Sequence, residues 1–558
     1  MLPTSRAAAR AAIGPALLAG SLAVVAALAL RYFFALPTPA ELYADQATTR
    51  IPLPLFEAML TTFGTAAKHL YLIGGLIGEA ALTALGGVLY AVTRQLTLSR
   101  WARTRDMEPH TESQSESYAL TYQDAPLIAL TLLLLSGVVL APLIGGGFFG
   151  AALVGGAPVA ALSQITPDLV FAFAFVAQSR AVARARMSTE GAPEDFTRRA
   201  FLRQSALAVV TLGGGIALWQ ALTSGLGALV GAGPARATQP ALSLSDVPER
   251  ITPPPTPVYG AYTTVSGQSP EVTAATDFYY VSKNLAGDPT IDGASWKLAF
   301  TGMVDKPYTL TYGQLRALPQ VTQYHTLECI SNEVGGDLMS TGYFTGVRLA
   351  DALNAAGIQR GATELIFKAA DGYSDNLHLS QALDDRSLIV YLLNGQPLPQ
   401  PHGFPARLLI PGLYGMKNGK WLTELSVASG PYDGYWEQRG WTHQALVKLT
   451  SRIDTPHDGD LLAARPVLIA GVAYSGDQGI SRVDVSVDGG RTWAPATLKR
   501  PLGELSWTLW EYAWSPASGA HLVVVRAIDL AGRVQTPAEV SPLPDGSSGY
   551  HAITITVR

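Results

Sequence analysis

The sequence predicts a multi-domain chain: an α-helical membrane anchor, then a mixed α+β domain, then an all-β sandwich. Three observations carry that prediction. The first 230 or so residues are dominated by Ala, Leu, Gly and Val in long uncharged runs; the middle mixes strand-like and helix-like segments; and from about Gly440 short alternating stretches with Gly-rich turns take over. The expected boundaries are 1–235 for the anchor, 236–275 for a linker, 276–438 for the α+β domain and 439–558 for the sandwich. A formal net charge of −4 over 558 residues supplies no basic face for a nucleic acid. The single cysteine, Cys329, rules out an intramolecular disulfide, cysteine-rich zinc sites and cysteine-ligated iron–sulfur clusters, which need several thiolates.

About five crossings are expected in the anchor. Ala11 to Leu30 carries no charge and is long enough to cross a ~30 Å hydrocarbon core. Arg6 and Arg10 before it put the amino terminus in the cytoplasm, and Arg31-Tyr32-Phe33-Phe34 forms an interfacial belt at its outer end. A second crossing, His69 to Thr93, precedes Arg94, Arg100, Arg103 and Arg105 and so returns inward; Pro52 to Ala67 is too short to span. Further crossings fall at Ala125 to Ile144 and between Ala157 and Gln178, ahead of Arg180, Arg184 and Arg186. Glu79, in the middle of the second span beside Gly74, Gly75 and Gly78, reads either as a proton relay or quinone contact, or as a carboxyl protonated or hydrogen-bonded to a neighbouring helix. His69 is the only histidine in the apolar spans, which argues against an internal bis-histidine haem.

Thr197-Arg198-Arg199-Ala200-Phe201-Leu202-Arg203 precedes a soft apolar stretch from Ala206 to Gly231. It is similar to a twin-arginine export signal, and equally reads as arginine anchors for a fifth span. Both readings put everything after Gly231 outside the cell membrane, tethered unless the chain is cut at Ala235-Arg236-Ala237. Pro253-Pro254-Pro255 and scattered Ser, Thr and Gly make Ser243 to Pro270 an extended linker.

In the α+β domain, Trp296 to Phe300 alternates like a strand, Lys306-Pro307 marks a turn, and Thr311 to Leu318 is a helix candidate. Gly346 to Gly357 reads as a short helix closed by glycine; Leu365 to Ala369 and Leu388 to Leu393 read as strands. Cys329 stands among Glu328, Ser331, Asn332, Glu333 and Gly335-Gly336, neighbours suited to ligand chemistry, while a buried thiol also serves as a small packing hydrophobe.

The run Thr326-Leu327-Glu328-Cys329-Ile330-Ser331-Asn332, followed by Tyr343-Phe344-Thr345-Gly346-Val347-Arg348-Leu349, resembles the molybdenum-ligand segment of the sulfite oxidase family. Leu393-Asn394-Gly395-Gln396-Pro397-Leu398-Pro399, continuing through His402-Gly403-Phe404-Pro405-Ala406-Arg407 to Gly412, resembles that family's second signature. The resemblance covers roughly residues 275 to 558. It implies an α+β fold round one molybdopterin, with the Cys329 thiolate as molybdenum ligand; a soft anionic sulfur suits that ion. It further implies cofactor contacts from Tyr279, His402, Arg407, Gly419 and Lys420, the cations facing the pterin phosphate, and an active-site role for Tyr373. Individually, Arg407, Lys420 and Tyr373 would more often be rim residues.

Two departures bear on the substrate. The family carries an arginine-rich stretch after the ligand cysteine, where Asn332 is here followed by Glu333, and an Arg-Asn-His run where this chain has Ser282-Lys283-Asn284. A carboxylate in place of a cation repels an anion, which argues against sulfite.

In the last segment, Val483, Val485 and Val487 alternate with Asp484, Ser486 and Asp488 before a Gly489-Gly490 hairpin turn and Trp493. With later strands at His521 to Arg526 and Ile553 to Val557, this predicts an immunoglobulin-like sandwich. Its Val485-to-Trp493 run resembles the family's carboxy-terminal domain, often a dimer contact. The expected protein is thus a multi-pass, outward-facing molybdenum-cofactor oxidoreductase. It would act on a small molecule, exchange electrons with a separate cytochrome or quinone-linked carrier, and pair with a second copy as a homodimer. The competing expectation is a displayed binding or adhesion protein whose enzyme-like domain is silent.

Overall fold

The computed structural model describes residues 5–34, 36–63, 66–103, 120–151, 153, 156–187, 194–223, 253–257, 265–285 and 287–558. The chain forms two units, Met1–Thr238 and Gln239–Arg558.

The first unit is helical: α1 (Ser5–Phe34), α2 (Pro39–Ala47), α3 (Leu53–Phe63), α4 (Ala66–Arg103), α5 (Asp124–Leu134, prolonged through a π turn to Leu143), α6 (Gly156–Met187) and α7 (Glu194–Thr223). Among the described residues, five helices are long and apolar enough to cross a membrane: Ala9–Phe34, Ala67–Leu98, Asp124–Leu143, Gly156–Arg184 and Arg199–Ala221. Helix α1 packs against α4, α6 and α7. Its buried face is a ladder of small residues, Ala12, Ala16, Ala19, Ala23 and Ala27, which lets backbones approach closely. At Gly20 an added Cβ would stand 2.5 Å from the Ala80 carbonyl oxygen. Glu79 Oε2 accepts from the Ala40 N–H at 3.1 Å, so its partner is the short helix α2 rather than another span. Arg94, which follows the second expected crossing, pairs with Asp124 at 2.8 Å. The twin-arginine-like run lies in the first turns of α7. Ala235-Arg236-Ala237 and most of the expected linker fall outside the described residues.

Among its described residues the second unit contains four sheets. Strands β1 (Lys297–Gly302), β2 (Tyr308–Thr311), β3 (Gln320–Glu328), β4 (Met339–Arg348), β5 (Glu364–Ala369), β6 (Ser374–His378), β7 (Leu388–Leu393), β8 (Gln396–Pro397), β9 (Arg407–Leu409) and β10 (Leu422–Ala428) make two of them. One has the order β2-β1-β10-β5-β6; the other runs β3-β4-β7-β8, with β9 added against β7. Their shared core includes Phe300, Leu365 and Phe367 from the first sheet and Leu327, Phe344, Ile389 and Tyr391 from the second. Three short helices complete the layer: α8 (Tyr312–Arg316), capped by Thr311 and Gln314; α9 (Leu349–Ala356), ended by Gly357 at φ 73°; and α10 (Leu379–Ala382). The β-branched and aromatic run Tyr343 to Val347 keeps the chain extended to Arg348, so α9 starts later than Gly346. The segment 410–421 joins the second sheet, through β9, to the first, through β10.

The remaining strands are β11 (Thr450–Thr455), β12 (Leu461–Leu462), β13 (Val467–Tyr474), β14 (Ile480–Ser486), β15 (Ala494–Pro495), β16 (Thr497–Leu498), β17 (Thr508–Trp514), β18 (Gly519–Asp529) and β19 (His551–Val557). They form sheets β11-β13-β17-β16 and β12-β19-β18-β14-β15. The two pack face to face over Ile469, Trp510, Val483, Val485, Val523 and Ile555. Period-two alternation would leave Asp484 and Ser486 in solvent, yet both are buried. Asp484 is covered by Arg482 and Arg526, and the Ser486 hydroxyl accepts from the Gly490 N–H inside the turn. Residues 265–271, at the end of the expected linker, are bound to this sandwich: Gln268 Nε2 donates to the Gly471 and Trp510 carbonyls, and Lys499 pairs with Glu271 at 2.8 Å.

Candidate functional site

The strands β3 and β4 pair antiparallel down to Glu328 opposite Met339, leaving residues 329–338 as a loop. Cys329 opens it, with its N–H on the Leu338 carbonyl at 2.9 Å. Asn332 closes it from within: Nδ2 donates to Glu328 Oε1 at 2.9 Å, and Oδ1 accepts from the Leu338 N–H at 3.0 Å. The sandwich grips the loop from outside. Ser547 Oγ donates to the Asn332 carbonyl at 2.7 Å, Arg452 Nη1 donates to the Gly336 carbonyl at 2.6 Å, and the His551 ring lies where a Cβ on Gly335 would stand. The Cys329 thiol is buried, 2.9 Å from Ser331 Oγ. Burial pushes its pKa up, while the Ser331 hydrogen bonds and the Lys420 charge pull it down.

Opposite lies the cationic side, carried by β9 and the segment that follows. Arg407 is 6% exposed; Nη1 donates to the His402 carbonyl at 3.3 Å and Nη2 to the Asn418 carbonyl at 3.0 Å, whereas Nε is buried without a partner among the described residues. Burial lowers this guanidinium to about 10. His402, edge-on to Phe278, is held neutral: burial, then Arg407 and Lys420, bring it down to about 4. Lys420 Nζ donates to the Val281 and Pro401 carbonyls at 3.0 and 2.9 Å and lies over the Tyr280 and Trp421 rings. Tyr279 comes from irregular backbone, anchored by its N–H on Ser340 Oγ at 3.0 Å. Its hydroxyl is 2.6 Å from where a Gly415 Cβ would be, a point 3.4 Å from the Glu328 carbonyl. Burial, and next the Cys329 sulfur, raise its pKa. Gly419 is a packing position: its carbonyl accepts from the Leu408 N–H at 2.9 Å, and a Cβ would stand 2.3 Å from the Phe367 ring.

Tyr373 sits at the start of β6, and its hydroxyl is engaged. Oη lies 2.9 Å from both Asp375 Oδ2 and the Met416 carbonyl, two acceptors for one hydrogen. Beneath it Lys417 Nζ bonds Asp375 Oδ1 at 2.5 Å and Glu437 Oε1 at 2.6 Å, all three side chains being at most 2% exposed. The segment 415–418 therefore touches both groups: Gly415 faces Tyr279 and the Glu328 carbonyl, and Met416 faces Tyr373.

Several of these residues carried no sequence signal. Lys417, Asp375 and Glu437 look like solvated charges in the sequence, because their burial is decided by strands and loops far apart in the chain. Asn418 is another: fully buried, it accepts from the Ile410 N–H at 2.6 Å and donates to the Leu413 and Tyr414 carbonyls at 3.1 and 3.0 Å, fixing the segment before β10. His325, one turn of pairing before the thiol, is buried, leaves Nδ1 unpartnered among the described residues, and is held down to about 3 by burial. The carboxylates also sort differently from expectation. Glu333 is exposed, so water screens it; the buried one is Glu328, whose Oε2 has no partner among the described residues and whose pKa burial raises to about 7. Lys283 donates to the Asp371 carbonyl at 2.9 Å and covers the Tyr435 ring.

A buried thiol and a buried guanidinium that both act on Tyr279, with a lysine and a neutral histidine nearby, fit a sulfur-liganded, phosphate-bearing cofactor. The fit is chemical, since Arg407 Nε is a buried donor for which the described residues supply no acceptor.

Residues 286–436 match the family model of the oxidoreductase molybdopterin-binding domain, and residues 443–556 that of the Mo-co oxidoreductase dimerisation domain. The human mitochondrial sulfite oxidase is 31% identical over 313 residues, 47% of this chain and 57% of that protein. The Arabidopsis thaliana sulfite oxidase is 28% identical over 320 residues, 46% of this chain and 81% of that one. An NADH nitrate reductase of Volvox carteri is 29% identical over 272 residues, 39% of this chain and 32% of that protein. The sulfane dehydrogenase SoxCD from Paracoccus pantotrophus aligns with 51% of this chain and 81% of its own at 23% identity and a TM-score of 0.47. The chain spans a little over half the length of the mammalian relatives it matches. The matched segments are molybdopterin oxidoreductase domains of sulfite oxidase type, which imply a molybdenum cofactor.

Proposed function

We propose that this chain is a membrane-anchored oxidoreductase whose molybdenum site faces the extracytoplasmic side and performs oxygen-atom transfer on a small molecule. The observation that carries it is the convergence of Cys329 and Arg407 on Tyr279, with Arg407 Nε buried and lacking an acceptor among the described residues. In this reading Cys329 ligates molybdenum. Tyr279, His402, Arg407, Lys420 and the Gly419 backbone line the pterin side, and Tyr373 orients substrate. The metal supplies two-electron redox chemistry and the protein supplies binding, orientation and charge.

Sulfite is disfavoured as substrate, because Asn332 is followed by Glu333 and the Arg-Asn-His run is replaced by Ser282-Lys283-Asn284, so the cations that an anionic substrate would need there are missing. Electrons pass to or from a separate carrier, a cytochrome or a quinone-linked protein, since the single cysteine excludes an internal cysteine-ligated cluster. Five apolar helices support the anchor, and the arginines flanking them support the orientation. The sandwich, immunoglobulin-like in this reading, carries a homodimer contact, as its match to a dimerisation domain suggests.

Metal and pterin analysis of the purified protein beside Cys329→Ser tests the reading. About one molybdenum per chain, with an altered electron paramagnetic resonance signal in the variant, is the expected result. Neither molybdenum nor pterin, from cells able to make the cofactor, would leave a displayed binding protein instead.

A further inference from the structure

The cluster beneath Tyr373 contains one cation and two carboxylates. Lys417 Nζ is bonded to Asp375 Oδ1 and Glu437 Oε1, and also reaches Asn376 Oδ1 at 3.3 Å. The second Glu437 oxygen, Oε2, is buried with no assigned partner among the described residues. It faces Asp375: one point, the Cβ position of Gly434, stands 2.6 Å from Glu437 Oε2 and 2.8 Å from Asp375 Oδ1. Two ionised carboxylates around one ammonium would leave a buried net negative charge, which a single shared proton removes. Burial and the neighbouring Glu437 push Asp375 well above the ordinary carboxylate range, against the pull of Lys417.

We propose that Asp375 and Glu437 form a proton-sharing acid pair, biased by Lys417, that exchanges one proton with the molybdenum site through the Tyr373 hydroxyl. The inference rests on the functional reading above. In the oxidising direction, substrate and water yield the oxygenated product, two protons and two electrons. The electrons leave for two one-electron carriers, one proton goes to water, and the other binds Tyr373 Oη as the hydroxyl hydrogen passes to Asp375 Oδ2. The reducing direction runs the same transfer backwards. The cluster alternates between one shared proton, net charge zero, and none. Other charges face it from every neighbouring element: Asp371 and Lys283 beside Tyr373, Glu364 through Asn376 Nδ2, and Arg439 across the Tyr435 ring. Of these, Lys283 is paired with Asp371, and Arg439 donates to the Tyr435 carbonyl.

The test uses the full-length protein in two states. In cofactor-free protein, infrared difference spectra should show a protonated carboxyl band, sensitive to deuterium, that titrates well above the ordinary carboxylate range. It should be absent in Glu437→Gln and in Asp375→Asn and kept in Tyr373→Phe. In loaded protein, titration of the molybdenum potential with dithionite and ferricyanide should show a break at that same pH, lost in Glu437→Gln and in Tyr373→Phe. A merely structural cluster would lose the band in the same carboxyl variants and leave the break in place. No protonated band in the wild type, or a break unmoved in both variants, overturns the inference while leaving the functional reading intact. A wild type without molybdenum overturns both.

Discussion

Arg407 and Asn418 hold each other across the two sheets: the guanidinium donates to the Asn418 carbonyl at 3.0 Å, while the Asn418 amide fastens Ile410, Leu413 and Tyr414. Through that pair β9 of one sheet sets the segment that enters β10 of the other. Gly415, against Tyr279 and the Glu328 carbonyl, and Lys420, whose charge acts on the thiol, lie on this segment.

Arg407→Met should retain the fold and lose cofactor. A charged hydrogen bond to a buried partner contributes roughly 1.5–3 kcal/mol, so cofactor retention should fall about ten- to a hundred-fold. Arg407→Lys should recover little of it, since lysine lacks the planar fork. Molybdenum per chain, measured by mass spectrometry after dialysis, reads the effect.

Asn418→Ala would strand three buried backbone groups. At about 1 kcal/mol for each lost bond the segment should loosen by roughly 2–4 kcal/mol. Hydrogen exchange at residues 410–421 of the full chain should quicken accordingly, with the sandwich strands unchanged.

Gly335→Ala should disturb the thiol loop from the sandwich side. The residue has φ 77° and an added Cβ would meet the His551 ring at 2.4 Å, which together should cost roughly 1–3 kcal/mol. The expected readout is faster exchange at residues 329–338 and reduced molybdenum content. A variant with both at wild-type level would show that the sandwich does not hold the loop.

His325 predicts an acid-side weakness. Its folded pKa is about 3 against ~6.5 in an unfolded chain. Between those values the unfolded state binds a proton that the folded state refuses, so stability falls as pH falls, by up to ~1.4 kcal/mol per unit. His325→Gln should flatten the pH dependence of the denaturation midpoint across that window by about one proton. An unchanged slope would mean that the histidine is not buried neutral.

The readable parts of the sequence were those where local chemistry and final environment agree. Leu388 to Leu393 is a continuous apolar run and becomes the fully buried β7; Gly357 closes α9 at positive φ because a helix end needs that backbone. The alternation Val483, Val485 correctly put those side chains in the sandwich core. It misjudged Asp484, whose burial depends on Arg526 from a strand distant in sequence. The thiol segment was legible as a motif. The charge around it was not: Glu333, conspicuous in sequence, is exposed, and Glu328, inconspicuous, is buried.

By itself the sequence determined the apolar helices and the order of Tyr279, Cys329, His402, Arg407 and Lys420 along the chain, since hydrophobic period and residue type are properties of the chain. Only the tertiary structure decided which polar groups lose water. Lys417, Asp375, Glu437, Asn418 and His325 look like ordinary polar residues in sequence, and they differ from surface ones because separate strands and loops close over them. A buried charge or amide must then find its partner inside the protein, and that necessity, invisible in one dimension, sets the chemistry of this site.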